Sequence, residues 1–388
     1  MNRIPALSMP LIVSLLSAAP LAGCVAGAEI QRPASPASCP SDPLGDHVLQ
    51  PLPLWADKYS NSDSPPPPSF AIRRLMERYA LTRAQAVELQ NHYRDQLRAK
   101  PNTEPKQAFD VALERVRSNQ FERPLDVEQL RQAKFIVVFD LDETLWSQYN
   151  PKTVTVTCFD FTIPEPMAAG TPNVQLVPGW QQAFERIRAL GGAVVLFSAN
   201  LDDPTLARLA QWKFHGTPLT QSPEIAGILT NSHLILQDKA EGPNTGNPVR
   251  EPSKDLRIFN ADNTDKDDKV SDKVIIVDDN PTRLFNDQLT HARVIKKFEA
   301  KHYCASPGDA LLRKAFDDSL AEVVREIEES VQYMEKQPPA KRSFAKAFLP
   351  YSWLGQPTVR FLMDNGGLDR AKAIDAVRSN PAIVDSKF

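Results

Sequence analysis

Three short apolar runs, each ending abruptly in polar residues, constrain the fold of this chain more than any other feature. They are "FIVVFDLDET" from Phe135, "AVVLFSAN" from Ala193 and "KVIIVDDNP" from Lys273. Runs of this length without alternation read as strands buried on both faces. Between the first two lies "PGWQQAFERIRALGG", a helix stopped by Gly191 and Gly192. After the second comes "DPTLARLAQWK", a helix capped near Asp202 or Asp203, and "ARVIKKF" reads as a fourth strand. Strands alternating with amphipathic helices predict an α/β fold: a doubly wound parallel sheet with helices on both faces. In such sheets ligands bind outside the carboxyl ends of the strands. The polar ends therefore converge on one point: Asp140, Asp142 and Thr144 from the first, Ser198 from the second, Asp278 and Asp279 from the third. Lys254, in "SKDLRIF", can approach the same point. Crowded carboxylates repel one another, so compensating charge is expected there, with a metal ion as the first candidate.

The regions around this core read differently. From Phe70 to Phe121 the spacing is helical, with Thr82 as an N-cap and Ala86, Leu89, Tyr93 and Leu97 recurring three or four residues apart. Phe109, Leu113 and Val116 repeat the pattern. "KTVTVTCFDFTI" has a strand period in Val154, Val156 and Cys158, and is expected to form part of a small β-flap near the mouth of the site. "DALLRKAFDDSLAEVVREIEESVQYM" places Leu312, Phe316, Leu320, Val323, Ile327 and Val331 on one face of a long helix packed on the body of the protein. The expected organisation is a signal over 1–24, a Pro-rich tether over 25–69 and a helical lead-in over 70–132. A catalytic core over 133–305 and a helical C-terminal region over 306–388 follow.

The net charge is −3, which gives no global attraction to nucleic acid or an anionic surface. No His-x-x-x-His or Cys-x-x-Cys spacing points to zinc, and there is no glycine-rich P-loop or serine-centred elbow. The first residues, "MNRIPALSMPLIVSLLSAAPLAGCVAG", have one basic residue, Arg3, before an apolar run too short for a spanning helix. The "LAGC" that ends it resembles a bacterial lipoprotein lipobox. That resemblance makes Cys24 the lipid-modified first residue of an exported protein and Val25 a signal for outer-membrane sorting; the alternative is an uncleaved N-terminus on a cytoplasmic protein. Of the other cysteines, Cys39, Cys158 and Cys304, the pair Cys158–Cys304 is the first to test as a disulfide, with buried free thiols as the alternative.

The order Asp140-x-Asp142-x-Thr144, Ser198, Lys254, Asp278-Asp279 is similar to the four motifs of the haloacid dehalogenase (HAD) superfamily. "DLDETL", "KDL" and "DDNP" look most like its FCP/SCP-type (NLI-interacting-factor-like) branch and the magnesium-dependent phosphatases. The resemblance spans roughly 135–290 and leaves the lead-in and the C-terminal region unmatched. It implies a phosphomonoester hydrolase with an aspartyl-phosphate intermediate. Asp140 would be the nucleophile and Asp142 the general acid and base, its backbone carbonyl also facing the metal. Thr144, Ser198 and Lys254 would position groups and hold phosphoryl oxygens. Mg²⁺ would be bound by Asp140, Asp142, Asp279 and Asp278, with Asp279 the first choice for direct ligation.

Lys213 and Lys239 compete with Lys254 for the lysine role, and "NADNTDKDDKVSD" lengthens the connection after Lys254 into what reads as a solvated loop. Two other functions stay open: a class C acid phosphatase acting on nucleotides or small esters, and a non-catalytic surface lipoprotein that uses the fold as a scaffold. A dehalogenase is disfavoured by Asp142. The stretch from Ser147 to Pro178 is too short for a large cap, so the site is expected to be open to phosphoproteins as well as small esters. Trp146, Phe159, Phe161 and Trp180 are candidates to line its entrance, though each has core packing as the simpler role.

Overall fold

The computed structural model describes residues 72–384, apart from 101, 104, 121–123, 155, 157, 166, 236–252, 261–267 and 305–309. The expected signal, Cys24, the tether, Cys39, Lys239 and most of the acidic loop after Lys254 lie outside the described residues.

Along the chain come four lead-in helices, α1 (Ile72–Tyr79), α2 (Arg83–Ala99), α3 (Pro105–Arg117) and α4 (Val127–Gln132), and then strand β1 (Phe135–Phe139). The flap strands are β2 (Trp146–Tyr149), β3 (Phe161–Thr162) and β4 (Asn173–Leu176). They precede α5 (Trp180–Ala189), β5 (Gly192–Phe197) and α6 (Asp202–Gln211). A short hairpin, β6 (Lys213–Phe214) with β7 (Thr217–Pro218), leads into β8 (Ile225–Leu229), then β9 (Val274–Asp278) and β10 (Ala292–Val294). Helices α7 (Ala300–Cys304), α8 (Ala310–Asp317), α9 (Ser319–Glu335), α10 (Phe344–Phe348), α11 (Gly355–Asp364) and α12 (Arg370–Ser379) complete the chain.

The main sheet has the order β10-β9-β1-β5-β8, and every pairing in it is parallel. All five residues of β1 are buried, and their alternation divides the core in two. Phe135, Val137 and Phe139 join Phe184 and Ile187 of α5, Val323 and Ile327 of α9 and Phe348 of α10. Ile136 and Val138 point the other way, into a cluster with Leu75, Leu89 and Phe109 of the lead-in. The lead-in is therefore one of the two layers that cover the sheet. Burying each such side chain contributes about 1.5–3 kcal/mol, which makes both layers necessary to the sheet.

Local expectations hold at several caps. Thr82 accepts the amide of Gln85, and the Gln85 side chain returns a bond to the Thr82 amide, a full capping box at the start of α2. Gly191, at φ +86°, ends α5 as its place in the sequence implied. At α6 the cap differs: Leu201 occupies the N-cap position without a side-chain bond, and Asp202 accepts the amide of Ser232 instead.

Three other readings are corrected. Val154, Val156 and Cys158 lie in no strand; the flap is β2-β4-β3, and among the described residues of "KTVTVTCFDFTI" it takes in Phe161–Thr162. The C-terminal helix is broken between Asp317 and Ser319 into α8 and α9, although Phe316, Leu320, Val323, Ile327 and Val331 are buried as expected. Strand β8, "IAGIL", went unread because a glycine interrupts a short run. Gly227 is needed there, since an added Cβ would come within 2.4 Å of Leu125 Cδ2 and 2.8 Å of the Pro124 carbonyl. Residues 124–126 run along that edge, with Ile228 donating to the Pro124 carbonyl and Asp126 to that of Ala226, which caps an otherwise open strand. Cys158, in the flap, is joined to Cys304 of α7 by a disulfide with the Cα atoms 5.8 Å apart.

Candidate active site

Three neighbouring strands, β5, β1 and β9, deliver Ser198, Asp140 and Asp278 at their carboxyl ends. Backbone bonds fix the ends to one another: the Asp140 amide donates to the Val277 carbonyl at 2.9 Å and that of Ser198 to Leu229 at 2.9 Å. Beyond β1 the chain turns sharply through Glu143, whose φ of +61° is uncommon for a residue with a side chain. The turn is held by the Glu143 amide on the Trp146 carbonyl (2.7 Å) and by an ion pair from Lys297 to the Glu143 carboxylate (2.6 Å). It brings Thr144 beneath β9, where the Thr144 hydroxyl accepts the Asp279 amide at 3.0 Å and ties the two acidic loops together.

At the centre lies Lys254, whose side chain is 1% exposed. Its ammonium donates to Asp140 Oδ1 and, at 2.7 Å, to Asp278 Oδ2. Its backbone is fixed by donation to the Arg283 carbonyl and by pairing with Leu284. Of the competing lysines, Lys213 is exposed in β6. Burial alone would lower the Lys254 pKa, but the flanking Asp140 and Asp278 carboxylates outweigh it and hold the ammonium charged. Asp140 is pushed well above the usual carboxylate range by burial, against the pull of Lys254 and with Asp278 and Asp142 adding repulsion. Burial, then Asp278 and Glu143, push Asp279 up to about 6.

One oxygen each from Asp140, Asp278 and Asp279 lies within 4.8 Å of the others. Among the described residues this is the group able to hold a metal ion, and its donor set suits a hard divalent cation: all carboxylate, with no nitrogen or sulfur. One lysine does not neutralise three crowded carboxylates, two of them buried and Asp279 half-buried. Asp278 is already engaged by Lys254 and, through Oδ1, by the Asn280 amide at 2.8 Å. That leaves Asp279 the more available ligand.

Asp142 is bound on both sides. Its Oδ1 accepts Trp146 Nε1 at 2.9 Å and the Gln148 amide, and its Oδ2 accepts the Ser198 hydroxyl at 2.8 Å. Ser198 Oγ also accepts the Asn200 amide at 3.0 Å, while its one hydroxyl proton is committed to Asp142. Trp146 and Gln148 lie on β2, so the flap holds Asp142 directly. Trp146, a candidate for the entrance, is fully buried and takes the simpler core role; Trp180 packs on Trp212 and Phe161 against the core, and Phe159 is exposed. Sequence reading missed Gln148 altogether. Its only signal was a polar residue facing the acidic turn from a strand that had not been recognised.

A parallel α/β sheet that gathers carboxylates and a buried lysine at its strand ends defines a ligand site of a kind found in enzymes of this architecture. The family model for NLI interacting factor-like phosphatases matches residues 135–331, just over half of the chain, and the chain belongs to that family. It is a phosphatase of HAD-like fold, and its substrate carries a phosphate. Comparison with curated proteins finds no match. Among solved structures, the essential RNA polymerase II CTD phosphatase Fcp1 is similar at 12% identity, over 63% of this chain and 69% of that one, with a TM-score of 0.28. A variant of fission yeast Fcp1 bound to beryllium fluoride gives 13%, 63%, 70% and 0.28. Likeness at this level adds nothing to the family assignment.

Proposed function

We propose that this phosphatase hydrolyses phosphate monoesters in two steps through an aspartyl-phosphate on Asp140. The supporting observation is the gathering of Asp140, Asp278 and Asp279 around one point, with Lys254 bridging two of them. In the first step a carboxylate oxygen of Asp140 attacks phosphorus, and the bond from phosphorus to the leaving oxygen breaks as protonated Asp142 gives that oxygen its proton. In the second, Asp142 takes a proton from water, the water oxygen attacks phosphorus, and the bond to Asp140 breaks to release inorganic phosphate. Lys254 places a fixed positive charge where negative charge develops, and Ser198 donates to a phosphoryl oxygen once it exchanges away from Asp142. Thr144 keeps the two acidic loops in register.

Asp140, Asp278 and Asp279 through their carboxylates, and Asp142 through its backbone carbonyl, are proposed to hold Mg²⁺, Asp279 most directly. When bound, the ion would offset the crowded carboxylates and draw the phosphate into the site. Phosphate release from a panel of monoesters, with protein lacking residues 1–24, tests this reading. A chelator is expected to remove turnover and Mg²⁺ to restore it; turnover that survives exhaustive chelation rules out the metal-dependent mechanism. The panel also separates phosphoprotein substrates from nucleotides and other small esters.

We further propose, from "LAGC" alone, that Cys24 carries a lipid anchor that holds the catalytic region at the bacterial cell envelope through the proline-rich segment. Among the described residues no helix is long and apolar enough to cross a membrane. Replacing Cys24 with alanine is expected to move the full chain from the membrane to the soluble fraction; unchanged fractionation refutes the anchor.

A further inference from the structure

Arg83, the first residue of α2, lies outside the stretch matched by the family and far in sequence from every motif, yet its side chain is only 1% exposed. Its guanidinium spans two carboxylates. Nη1 donates to Asp255 Oδ2 at 2.6 Å, Nε to Asp268 Oδ1 at 2.8 Å, and Nη2 to Asp268 Oδ2. Asp255 follows Lys254 directly, and Asp268 stands near the far end of the acidic insertion that lengthens the connection from Lys254 to β9. Arg83 therefore ties both sides of that insertion to the lead-in.

The contacts around Asp255 show what this holds. Asp255 Oδ1 accepts Arg257 Nε at 2.9 Å, the Arg257 amide at 3.0 Å and Gln288 Nε2 at 2.6 Å, while Gln288 Oε1 accepts the Leu256 amide at 2.8 Å. Asp255 thus fixes the backbone immediately after Lys254. Among the described residues, two guanidinium groups, Arg83 and Arg257, pair with two carboxylates, Asp255 and Asp268. All four side chains are nine-tenths or more buried. Burial would raise the Asp255 pKa, but Arg83 and then Arg257 outweigh it and hold the carboxylate low and charged. Loss of Arg83 would strip both buried carboxylates of its three donors, with Arg257 Nη1 3.9 Å from Asp268. Lysine cannot replace it fully, since Nε and Nη2 grip both oxygens of Asp268 as a planar fork while Nη1 reaches Asp255, a spread of donors that one ammonium does not reproduce.

We infer that Arg83 is a positioning residue for catalysis: acting through Asp255, it fixes where Lys254 presents its ammonium to Asp140, Asp278 and the phosphoryl group. The role rests on the phosphatase reading above, so wild-type turnover that Asp140→Asn abolishes is established first. A wild type silent in that assay sinks the phosphatase reading itself and this role with it.

The test uses the full chain with Mg²⁺ and p-nitrophenyl phosphate, and compares Arg83→Gln, Arg83→Lys, Asp268→Asn and Leu75→Ala. Misplacement of a reacting group by about 1 Å costs on the order of 100-fold. Arg83→Gln is therefore expected to lower kcat/KM about 10- to 100-fold, by the same argument. Its inhibition constant for inorganic phosphate should weaken in parallel, because Lys254 is proposed to hold phosphoryl oxygens. Arg83→Lys should fall between, and millimolar guanidinium should partly restore Arg83→Gln. Leu75→Ala, a cavity in the apolar core that removes no ion-pair partner, should melt earlier yet keep its kcat. Wild-type kcat and KM in Arg83→Gln overturn the inference. So does an equal loss of kcat in Leu75→Ala, which would make the effect a general loosening. Should Arg83→Gln fail to fold, Asp268→Asn carries the test: it keeps the Arg83–Asp255 pair and is expected to lose several-fold in kcat/KM, and an unaltered value refutes the role.

Discussion

Replacing Asp140 with asparagine should stop turnover while leaving the fold intact. The amide keeps the shape of the carboxyl but has no oxygen able to form an acyl phosphate. Loss of a nucleophile acts on a scale of about 10⁴- to 10⁶-fold in kcat. Stability should not fall with it. Asp140 is a buried carboxyl already pushed toward its neutral form by burial and by its acidic neighbours, and asparagine is neutral from the outset. Lys254 keeps an acceptor in the amide oxygen and its charged partner Asp278. Steady-state phosphate release alongside thermal melting of the same preparation checks both halves. A variant that retains wild-type kcat eliminates Asp140 as the nucleophile.

Lys254→Met should weaken both activity and the metal-free fold. Methionine fills a similar volume but leaves Asp140 and Asp278 buried without their bridging cation. Breaking one side of a buried ion pair costs about 3–5 kcal/mol. That loss should appear in denaturant melts run with chelator. Mg²⁺ should then recover part of it, because removing the lysine makes the carboxylate cluster more negative and a better cation site. Turnover should stay depressed by about 10²- to 10³-fold even with saturating Mg²⁺, the scale of a lost electrostatic contact in the transition state. A metal-free variant as stable as the wild type would show that Lys254 does not offset the cluster.

How much was legible in the sequence follows from what kind of information each feature needs. The apolar runs at Phe135, Ala193 and Lys273 gave the sheet because burial on both faces writes itself into consecutive residues. The convergence of Asp140, Ser198, Lys254, Asp278 and Asp279 followed from the rule for parallel sheets and from motif order; the structure brings Asp140, Lys254, Asp278 and Asp279 together and sets Ser198 on Asp142. Strand β8 was missed because Gly227 answers to the approach of Leu125, a contact across about 100 residues that no local pattern encodes. The threonine alternation at Val154–Cys158 misled in the opposite sense, since a period of two specifies a strand only where a partner edge is present. Gln148 and Arg83 were invisible for the same reason: each is an ordinary polar residue on its own element, and its meaning lies in which carboxylate it meets.

The edge seal at residues 124–126 bears on how this chain can be cut. A fragment drawn at the ends of the family match would begin at Phe135 and so discard both that seal and the helices that shield Ile136, Val138, Val195 and Phe197. Naked pleats and greasy side chains would then face water together, a recipe for strands zipping onto neighbouring copies. The smallest piece worth expressing therefore starts upstream of α1, some sixty residues before the first recognisable motif.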